Sequence, residues 1–424
     1  MVFKVEQQGK IDYSMRPEIR EAITALTGLP EVKKAMTYIE SDHENCISEQ
    51  LELVVIPAPT FHEEKRAAYL AEKFRAFGLE DVHIDSIGNV MGTRRGSGNG
   101  PTVVIDGHMD TVYPLETKLE PRRDEDFIYC PGIVDDTRAC AAMLSVLRAL
   151  NDADIKTKGD LIFLGTVREE GMGGFAGMKQ FCKDHPELGA SVCMDGDGAR
   201  GIIYQSTGFK TIEVTFHGTG GHAYGAFGEV ANPLHAAARA VTKIADLQVP
   251  GEPRTTYCVS NFHAGNDAGI HAIVPEATIK VNYRSNGQAQ LEALDKEVFR
   301  CIEEAGAEET ARWGKDTITY TVKTYCDVPA GSLDAHDPIV EATWACIEYL
   351  GKDPFLMEGG PTNASIPITS GIPAVCLGCG DEETFVHNAA KERFPVKKSY
   401  EMPQLALMVA LAAAGVEGKL ESVL

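Results

Sequence analysis

Apolar positions along this chain follow two spacings, and the two alternate. Before Gly78 they recur at helical spacing, and Thr60 to Glu63 has the S/T-x-x-E form of a capping box at the start of that helix. Short apolar runs bounded by turn residues predict buried strands instead. Because such runs alternate with helices, we expect a largely parallel sheet covered by helices. The clearest runs are 102–105, 161–167 and 190–194, and a helix is predicted over 137–150.

The pattern changes after Gly208. Strands with alternating polar and apolar residues then combine with two helices in the order β-α-β-β-α-β, which is the ferredoxin-like arrangement. From about residue 328 the earlier pattern returns, with a helix over 338–350 and an apolar strand over 372–377. We therefore expect an α/β fold. A three-layer α/β/α domain, formed by 1–208 and 328–424, is interrupted by an inserted ferredoxin-like α+β domain, 209–327.

Length and charge narrow the classes of partner. A chain of 424 residues is too long for one ordinary core, which agrees with two domains. Its 40 Lys and Arg against 62 Asp and Glu give a net charge of −22, so we expect neither nucleic acid nor an anionic membrane as a partner. No signal peptide and no membrane-spanning run is visible. The 11 cysteines in apolar contexts fit a reducing compartment, and we expect a cytoplasmic protein.

Residues of metal-ligand type follow the predicted strands. In open α/β sheets ligands gather beyond the carboxyl ends of strands, and each of the three clearest strands ends near a candidate. Zinc binds imidazole nitrogen and carboxylate oxygen, so the set has the composition of a two-zinc centre. Each residue taken singly is weak evidence, because a His at a strand end is more often structural and an Asp before Gly is usually a turn residue. The candidates are His108, Asp135, Glu170, Asp195 and His387.

Two adjacent acids, Glu169 and Glu170, are harder to explain without a cation. Neighbouring carboxylates beyond a buried strand repel each other unless a cation or exposure relieves them. One of them can bind a metal while the other takes a proton from water, and the alternative is a pair of solvated acids at the start of a loop. Asp110, two residues after His108, is placed to accept the second imidazole N–H, or else is a turn acid.

Several stretches in one order resemble a known family. G-H-M-D-T-V, P-G-I-V-D-D, R-E-E-G and M-D-G are followed by G-T-G-G-H-A-Y-G-A-F-G in the inserted domain and by a late His after G-I-P-A-V-C-L-G. Together they are similar to the zinc metallopeptidase and deacylase family. That family includes carboxypeptidase G, tripeptidase T, acetylornithine deacetylase and succinyl-diaminopimelate desuccinylase. The resemblance runs from about residue 48 to the end.

The resemblance implies a role for each ligand candidate. His108 and Asp195 would hold one zinc, Glu170 and His387 would hold the other, and Asp135 would bridge both. Glu169 would be the general base for the attacking water and then the acid that protonates the leaving amine. The family also implies a cis peptide bond after the bridging aspartate, between Asp135 and Asp136. Two Zn²⁺ are expected, with Mn²⁺ or Co²⁺ as substitutes.

The resemblance extends to the inserted domain, which would act as a lid. His222 matches the family's lid histidine, which stabilises the oxyanion and in dimeric members comes from the partner subunit, so a homodimer through the lid is implied. Arg284 resembles a lid arginine that grips a substrate carboxylate, and the alternative is an exposed charge at a strand end. Two departures from the family pattern, His271 and Asn363, fall on substrate-facing positions, and we expect both to bind substrate.

The implied function is hydrolysis of an amide bond, with Glu169, Asp110 and His222 as catalytic residues. The substrate would be a short peptide, cleaved by exopeptidase, dipeptidase, tripeptidase or carboxypeptidase-like activity. Cleavage of an N-acyl amino acid by a deacylase of the same family is open as well, because both reactions attack an amide through the same oxyanion. A hypothesis of another class is an inactive family member that serves as a binding protein. It is disfavoured because all the ligands and the base are retained.

Overall fold

The computed structural model describes residues 13–195, 200–313, 317–357, 359–379 and 389–424. The helices in these ranges are α1 (Pro17–Gly28), α2 (Pro30–Ser41), α3 (His43–Val54), α4 (Glu64–Ala76), α5 (Thr137–Asp152), α6 (Ala176–Asp184), α7 (Pro233–Ala245), α8 (Gln288–Trp313), α9 (Pro338–Tyr349), α10 (Ser365–Thr369) and α11 (Glu401–Ala414). The strands up to the inserted domain are β1 (Glu80–Ile84), β2 (Val90–Arg94), β3 (Thr102–His108), β4 (Arg122–Arg123), β5 (Phe127–Tyr129), β6 (Leu161–Thr166), β7 (Leu188–Met194), β8 (Gly201–Ile203) and β9 (Gln205–Ser206). The later strands are β10 (Gly208–His217), β11 (Gly221–His222), β12 (Thr255–Ala264), β13 (Ala272–Ile273), β14 (Glu276–Ser285), β15 (Thr319–Val328), β16 (Gly331–Ser332), β17 (Phe355–Met357), β18 (Ala374–Leu377) and β19 (Arg393–Pro395).

The main sheet has eight strands in the order β1-β2-β6-β3-β7-β18-β8-β17. Its centre is parallel, because β3 pairs in parallel with both β6 and β7, and β7 does so with β18. Its margins are mixed: β2 runs antiparallel to β1 and β6, and β8 runs antiparallel to β18. The expectation of a parallel sheet therefore holds for the buried centre, whose strands are apolar on both faces.

Helices cover both faces of this sheet and complete three layers. The largest core cluster packs seven helices against one face of the sheet: α1, α2, α3, α4, α5, α9 and α11. Smaller clusters pack α6 and α10 against the other face. The N-terminal helices α1 and α3 pack on the outside of α9 and α5. Within the described ranges, no helix combines the length and the apolar composition that crossing a membrane requires.

A second sheet with the order β12-β14-β10-β15 has its own core against α7 and α8. Its chain order, β-α-β-β-α-β, and its antiparallel pairing are ferredoxin-like, so the predicted fold class is confirmed. The chain passes between the two bodies twice, and the passages lie side by side because β9 pairs with β16. The exact domain limits, 209–327 for the insert, stay a prediction.

One local prediction is wrong. Helix α4 forms, but it begins at Glu64, three residues later than a capping box at Thr60 predicts, and Glu63 at its N-cap position makes no capping bond. The Thr60 hydroxyl donates to the carboxylate of Asp110 instead, at 2.9 Å. The Glu63 carboxylate accepts the backbone N–H groups of Phe61 and Arg168, both at 3.0 Å. The capping box fails because tertiary partners compete for the side chains that would form it.

Candidate metal centre

Three neighbouring strands bring the candidate ligands to one edge of the main sheet. Strand β3 ends at His108, β6 ends just before the Glu169–Glu170 pair, and β7 ends just before Asp195. Because β3 lies between β6 and β7 and all three are parallel, their carboxyl ends meet at the same edge. Asp135 reaches the same place from the turn that precedes α5.

The ligand atoms lie within reach of shared cations. One group comprises His108, Glu169 and Asp195, and a second comprises His108, Asp135 and Glu170; in each, the ligand atoms are within 4.8 Å of one another. The Nε2 atom of His108 is 2.8 Å from Oδ1 of Asp135 and 3.8 Å from Oδ1 of Asp195. All five side chains are buried. The centre therefore combines one imidazole with four carboxylates.

The charges of this cluster are costly without a cation. Burial, together with the nearby charges of Asp195 and Glu170, raises the pKa of Glu169 well above its ordinary value. Burial alone would lower the pKa of His108, but the carboxylates of Glu169 and Asp136 outweigh it and raise this pKa well above its usual range. Nitrogen and carboxylate donors gathered in this way fit a divalent metal, which would relieve the repulsion.

Asp110 holds the backbone of Glu169 and Glu170 through hydrogen bonds. Its Oδ1 atom accepts the N–H of Glu169 and its Oδ2 atom accepts the N–H of Glu170, both at 3.0 Å. The Nδ1 atom of His108 lies 3.0 Å from the carbonyl oxygen of Asp110 and 3.5 Å from its Oδ1. A proton on Nδ1 is therefore held by Asp110, so in the neutral ring Nε2 is the nitrogen available to a metal.

The turn before α5 separates two adjacent aspartates. The Asp135–Asp136 peptide bond is cis, as the resemblance implies. The Asp136 carboxylate turns inward, where it caps α5 at the N–H of Ala139 and accepts the N–H of His108 at 2.9 Å. The side chain of Asp135 faces the ligand cluster. Only the first of the two acids is therefore available as a ligand.

Two further predicted residues have different outcomes. His387 lies in 380–388, outside the described residues. Asn363 is buried, and its Nδ2 atom donates to Oδ1 of Asp106 at 3.1 Å and to Oγ1 of Thr166 at 2.7 Å. Burial raises the pKa of Asp106 to about 7. The structure thus places Asn363 beneath the ends of β3 and β6, and its contact with substrate stays a prediction.

The three predicted residues of the inserted domain are exposed. His222 lies in the small β11–β13 ladder and His271 directly precedes β13, with ring centroids 6.4 Å apart. The Nδ1 atom of His222 accepts the N–H groups of Tyr224 and Gly225, at 3.3 and 3.4 Å. On β14, the Arg284 Nε donates to Asn282 at 3.0 Å, and its guanidinium lies 5.3 Å from the centre of the Phe209 ring.

Two acids close to the centre have roles that the sequence does not indicate. Glu392 is buried and accepts backbone N–H groups from the turn that carries Asp135. It stands between Lys391 and Arg393, in a context typical of a solvated surface. Glu63 is visible in the sequence only as part of a capping box. In neither case does the local pattern predict the tertiary role.

A buried imidazole among four carboxylates, at the carboxyl edge of parallel strands and with an inserted α+β domain, defines a metal-dependent hydrolase. Comparison with known proteins specifies the family. The model of peptidase family M20/M25/M40 matches residues 104–412. The chain belongs to this family and is a metallo-amidohydrolase.

Individual relatives cover most of the chain. It is 26% identical over 356 residues to a succinyl-diaminopimelate desuccinylase of Corynebacterium glutamicum, covering 82% of this chain and 90% of that protein. A tripeptidase structure from Staphylococcus aureus matches with 25% identity and a TM-score of 0.70, covering 87% of this chain and 97% of that one. The YxeP protein of Bacillus subtilis, described as a dinuclear metal binding peptidase, has the same fold at 16% identity and a TM-score of 0.65, with 88% and 99% of the two chains covered.

Proposed function

We propose that this chain hydrolyses an amide bond in short peptides and uses two divalent cations, in the first place Zn²⁺. The observation that carries the proposal is the two overlapping ligand groups, which share His108 and enclose both Glu169 and Glu170. A similar chain described as a dinuclear metal binding peptidase supports the number of cations. A similar tripeptidase supports the peptide substrate.

His108 and Asp195 would hold one cation, Glu170 and His387 the other, and Asp135 would bridge the two. Such cations polarise an amide carbonyl and lower the pKa of water to roughly 7. Asp110 would keep His108 in the tautomer that presents Nε2, and it would fix the backbone from which Glu169 and Glu170 project.

Glu169 would act first as the general base and then as the general acid. Its carboxylate is buried beside the ligand cluster, and burial raises the pKa of Glu169, which makes it a better proton acceptor near neutral pH than an ordinary glutamate. It would accept a proton from the attacking water at a carboxylate oxygen and deliver it to the nitrogen of the leaving amine. A glutamine at this position could do neither, because an amide has no site of comparable basicity.

Residues of the lid would bind the carbonyl oxygen and the substrate termini. Because Nδ1 of His222 accepts two backbone N–H groups, the proton of the neutral ring lies on Nε2. That N–H could donate to the oxygen that becomes negative during attack. Arg284 would bind a substrate carboxylate, and His271, close to His222, would line the same side.

A homodimer through the lid is part of the proposal. Large apolar side chains are exposed around His222: Tyr224 is 92% exposed, Ile270 79% and Phe227 71%. Exposed apolar groups of this kind are typical of an interaction surface. A second copy would cover them and bring the partner's lid towards the centre. The cytoplasmic location stays a prediction from the sequence.

Hydrolysis of an N-acyl amino acid is the second candidate. The similarity to a succinyl-diaminopimelate desuccinylase supports it to the same degree as the tripeptidase supports the first. The two candidates differ only in the groups on either side of the amide, so a panel of dipeptides, tripeptides and acyl-amino acids distinguishes them. A chain that binds metal normally and cleaves no member of that panel would favour the binding-protein hypothesis instead.

The test of mechanism is Glu169→Gln, which keeps the shape of the side chain and removes the base. We expect the variant to bind two cations per chain, as the wild type does, while kcat falls by about 10²- to 10⁴-fold. Metal content is measured by atomic emission after saturation with Zn²⁺, and kcat is measured on whichever panel substrate the wild type cleaves best. Removal of the cations with a chelator should abolish turnover, and added Zn²⁺ should restore it.

Glu187→Gln is the matched control, because Glu187 is exposed and its side chain bonds to His185, away from the ligand cluster. It should leave kcat and metal content unchanged. Wild-type turnover in Glu169→Gln would contradict the role of the base. A wild-type chain that takes up no cation at two equivalents would contradict the centre itself.

A further inference from the structure

The buried carboxylate of Glu392 collects four hydrogen bonds beside the metal centre. Its Oε2 atom accepts the N–H of Gly132 at 2.8 Å and the hydroxyl of Tyr113 at 2.7 Å. Its Oε1 atom accepts the N–H groups of Val134 at 3.0 Å and Asp135 at 3.4 Å. The side chain is 1% exposed. One acid therefore satisfies three backbone donors of the turn that ends at Asp135.

Such a turn needs an external acceptor. Buried N–H groups must be paired, and a bond to a charged acceptor is about twice as strong as one between neutral groups. Gly132 has a φ of +76°, and a Cβ added there would lie 3.1 Å from Thr111 Cγ2, so the turn is closely fitted at its start as well.

Glu392 is itself held in place from the far end of the sequence. It directly precedes β19, which pairs with β5 through Arg393 opposite Tyr129 and Pro395 opposite Phe127. It is 257 residues distant in sequence from Asp135 and five residues after His387. Its carboxylate thus joins the C-terminal segment to the turn that carries the central ligand.

We propose that Glu392 is a positioning residue that holds the Gly132–Asp135 turn so that the Asp135 carboxylate can bridge two cations. The inference rests on the proposed function, because it assigns Glu392 to the same centre. Glu392 itself would touch neither substrate nor metal. It acts by fixing the backbone N–H of Asp135, and hence the direction from which that side chain projects.

Three substitutions separate the geometry of Glu392 from its charge. Glu392→Asp keeps the charge but is one methylene too short to reach all three N–H groups. Glu392→Gln keeps the length of the side chain. Because both oxygens of Glu392 accept hydrogen bonds, the amide NH₂ group of the glutamine would face N–H or O–H donors at one of the two positions. Tyr113→Phe removes one donor and leaves the turn and the carboxylate in place. If position matters, Asp should be no better than Gln, whereas a purely electrostatic role predicts that Asp restores binding.

The measurements are cation affinity by calorimetric titration with Zn²⁺, the visible absorption spectrum of the Co²⁺-loaded protein, and kcat and KM. In Glu392→Asp and Glu392→Gln we expect the dissociation constant of at least one cation to rise about 10- to 100-fold, as is typical when a supporting partner of a ligand is lost. The Co²⁺ bands should shift, and kcat should fall with KM close to the wild-type value. Tyr113→Phe should weaken binding by less than about tenfold, below the range for loss of a ligand's direct partner, because Tyr113 bonds to Glu392 and not to a ligand.

Glu341→Gln is the matched control for loss of a buried acid. Glu341 is buried in α9 and pairs with Arg16 and His336 at the N-terminal end of that helix. The variant should unfold at a lower temperature but keep the wild-type cation affinity and Co²⁺ spectrum. If it loses cation affinity as the Glu392 variants do, the effect is one of general stability and the role assigned to Glu392 is wrong.

The remaining outcomes are decisive as well. Wild-type affinity and an unchanged Co²⁺ spectrum in Glu392→Asp and Glu392→Gln would contradict the positioning role. If neither variant folds, Tyr113→Phe decides the matter, since unchanged cation binding there would overturn the inference. A wild-type chain that binds no divalent cation would contradict the proposed function itself, so the two failures are distinguishable.

Discussion

Single side chains in this centre act through the backbone groups that they hold as much as through their own charge. Asp110 accepts the N–H groups of both Glu169 and Glu170, and Asp136 accepts the N–H of His108. Each of these bonds fixes the point from which a ligand or base projects. Buried acceptors of this kind are costly to remove, because a donor left unpaired in the interior loses its full hydration.

Asn363 provides a test at the scale of one residue. In Asn363→Ala, Asp106 loses one donor and Thr166 loses its amide partner, so we expect the free energy of unfolding to fall by about 1–3 kcal/mol while KM stays near the wild-type value. Urea unfolding and steady-state kinetics measure the two quantities. Asn151→Ala is the control, because that exposed side chain donates to the carbonyl of Phe77 and accepts from Nε of Arg94 at the surface, and its cost should stay within about 0.5 kcal/mol. A large rise in KM with unchanged stability would show instead that Asn363 binds substrate.

At the scale of elements, the centre depends on how α5 is fixed at both of its ends. Its first residues follow the turn that carries Asp135, and its outer face packs against α3. Towards its C-terminus, Arg148 reaches two buried acids: its Nη2 lies 2.5 Å from Asp42, between α2 and α3, and its Nη1 lies 2.6 Å from Glu49 of α3. The N-terminal helices are thereby tied to the helix that follows the ligand turn.

Replacing Arg148 by Met should be strongly destabilising. The substitution leaves the buried carboxylate of Asp42 without its cation and leaves Glu49 with Lys73 alone, at 3.2 Å. Breaking a buried pair on one side costs about 3–5 kcal/mol. Chemical denaturation followed by circular dichroism measures the loss. The kcat of the folded fraction at low temperature should stay close to the wild-type value, because Arg148 has no contact with the ligand cluster within the described residues.

Arg95→Met is the control for this prediction. Arg95 also pairs with several acids, among them Asp81 and Asp160, but its side chain is 49% exposed. Pairs exposed to water contribute about 0–1 kcal/mol, so the variant should unfold almost as the wild type does. If Arg148→Met and Arg95→Met lower the free energy of unfolding equally, burial does not make the Arg148 network more stabilising than an exposed one.

At the scale of the whole molecule, the ligand cluster and the predicted lid histidine belong to different bodies. The five described ligand and base residues come from the α/β/α layers, and His222 lies on the exposed β11–β13 ladder of the insert. If His222 serves the centre of a partner subunit, two inactive variants can restore each other. Glu169→Gln lacks the base but offers an intact lid, and His222→Ala offers the reverse.

We therefore expect activity to return when these two variants are co-refolded in equal amounts. Random pairing in a symmetric dimer gives mixed dimers with one complete site, for about one quarter of the wild-type number of active sites. Activity per chain and mass in solution measure the outcome, and each variant refolded alone is the control. A lack of recovery in mixtures that are shown to be dimers, or a fully active monomer, would contradict action across the interface.

Local pattern accounts for much of the fold. The helical spacing before Gly78, the apolar runs that form β3, β6 and β7, and the β-α-β-β-α-β order of the insert are all read from neighbours within a few residues. Strand ends then place ligand-type residues at one edge of a sheet, which is why His108, the two glutamates and Asp195 are found together. The capping box predicted at Thr60 is wrong because a partner distant in sequence, Asp110, takes the hydroxyl.

The order of elements, the ligand types and the family resemblance follow from the amino-acid sequence alone, because periodicity and motifs are properties of short segments. Three-dimensional packing was needed to establish which of two adjacent aspartates faces the cluster, that Asn363 supports the strands from below, and that Glu392 holds the turn at Asp135. The contacts of Asn363 and Glu392 depend on pairing between segments hundreds of residues apart. Such pairing is selected by burial and by the need to satisfy every buried polar group, and neither is visible in a local pattern.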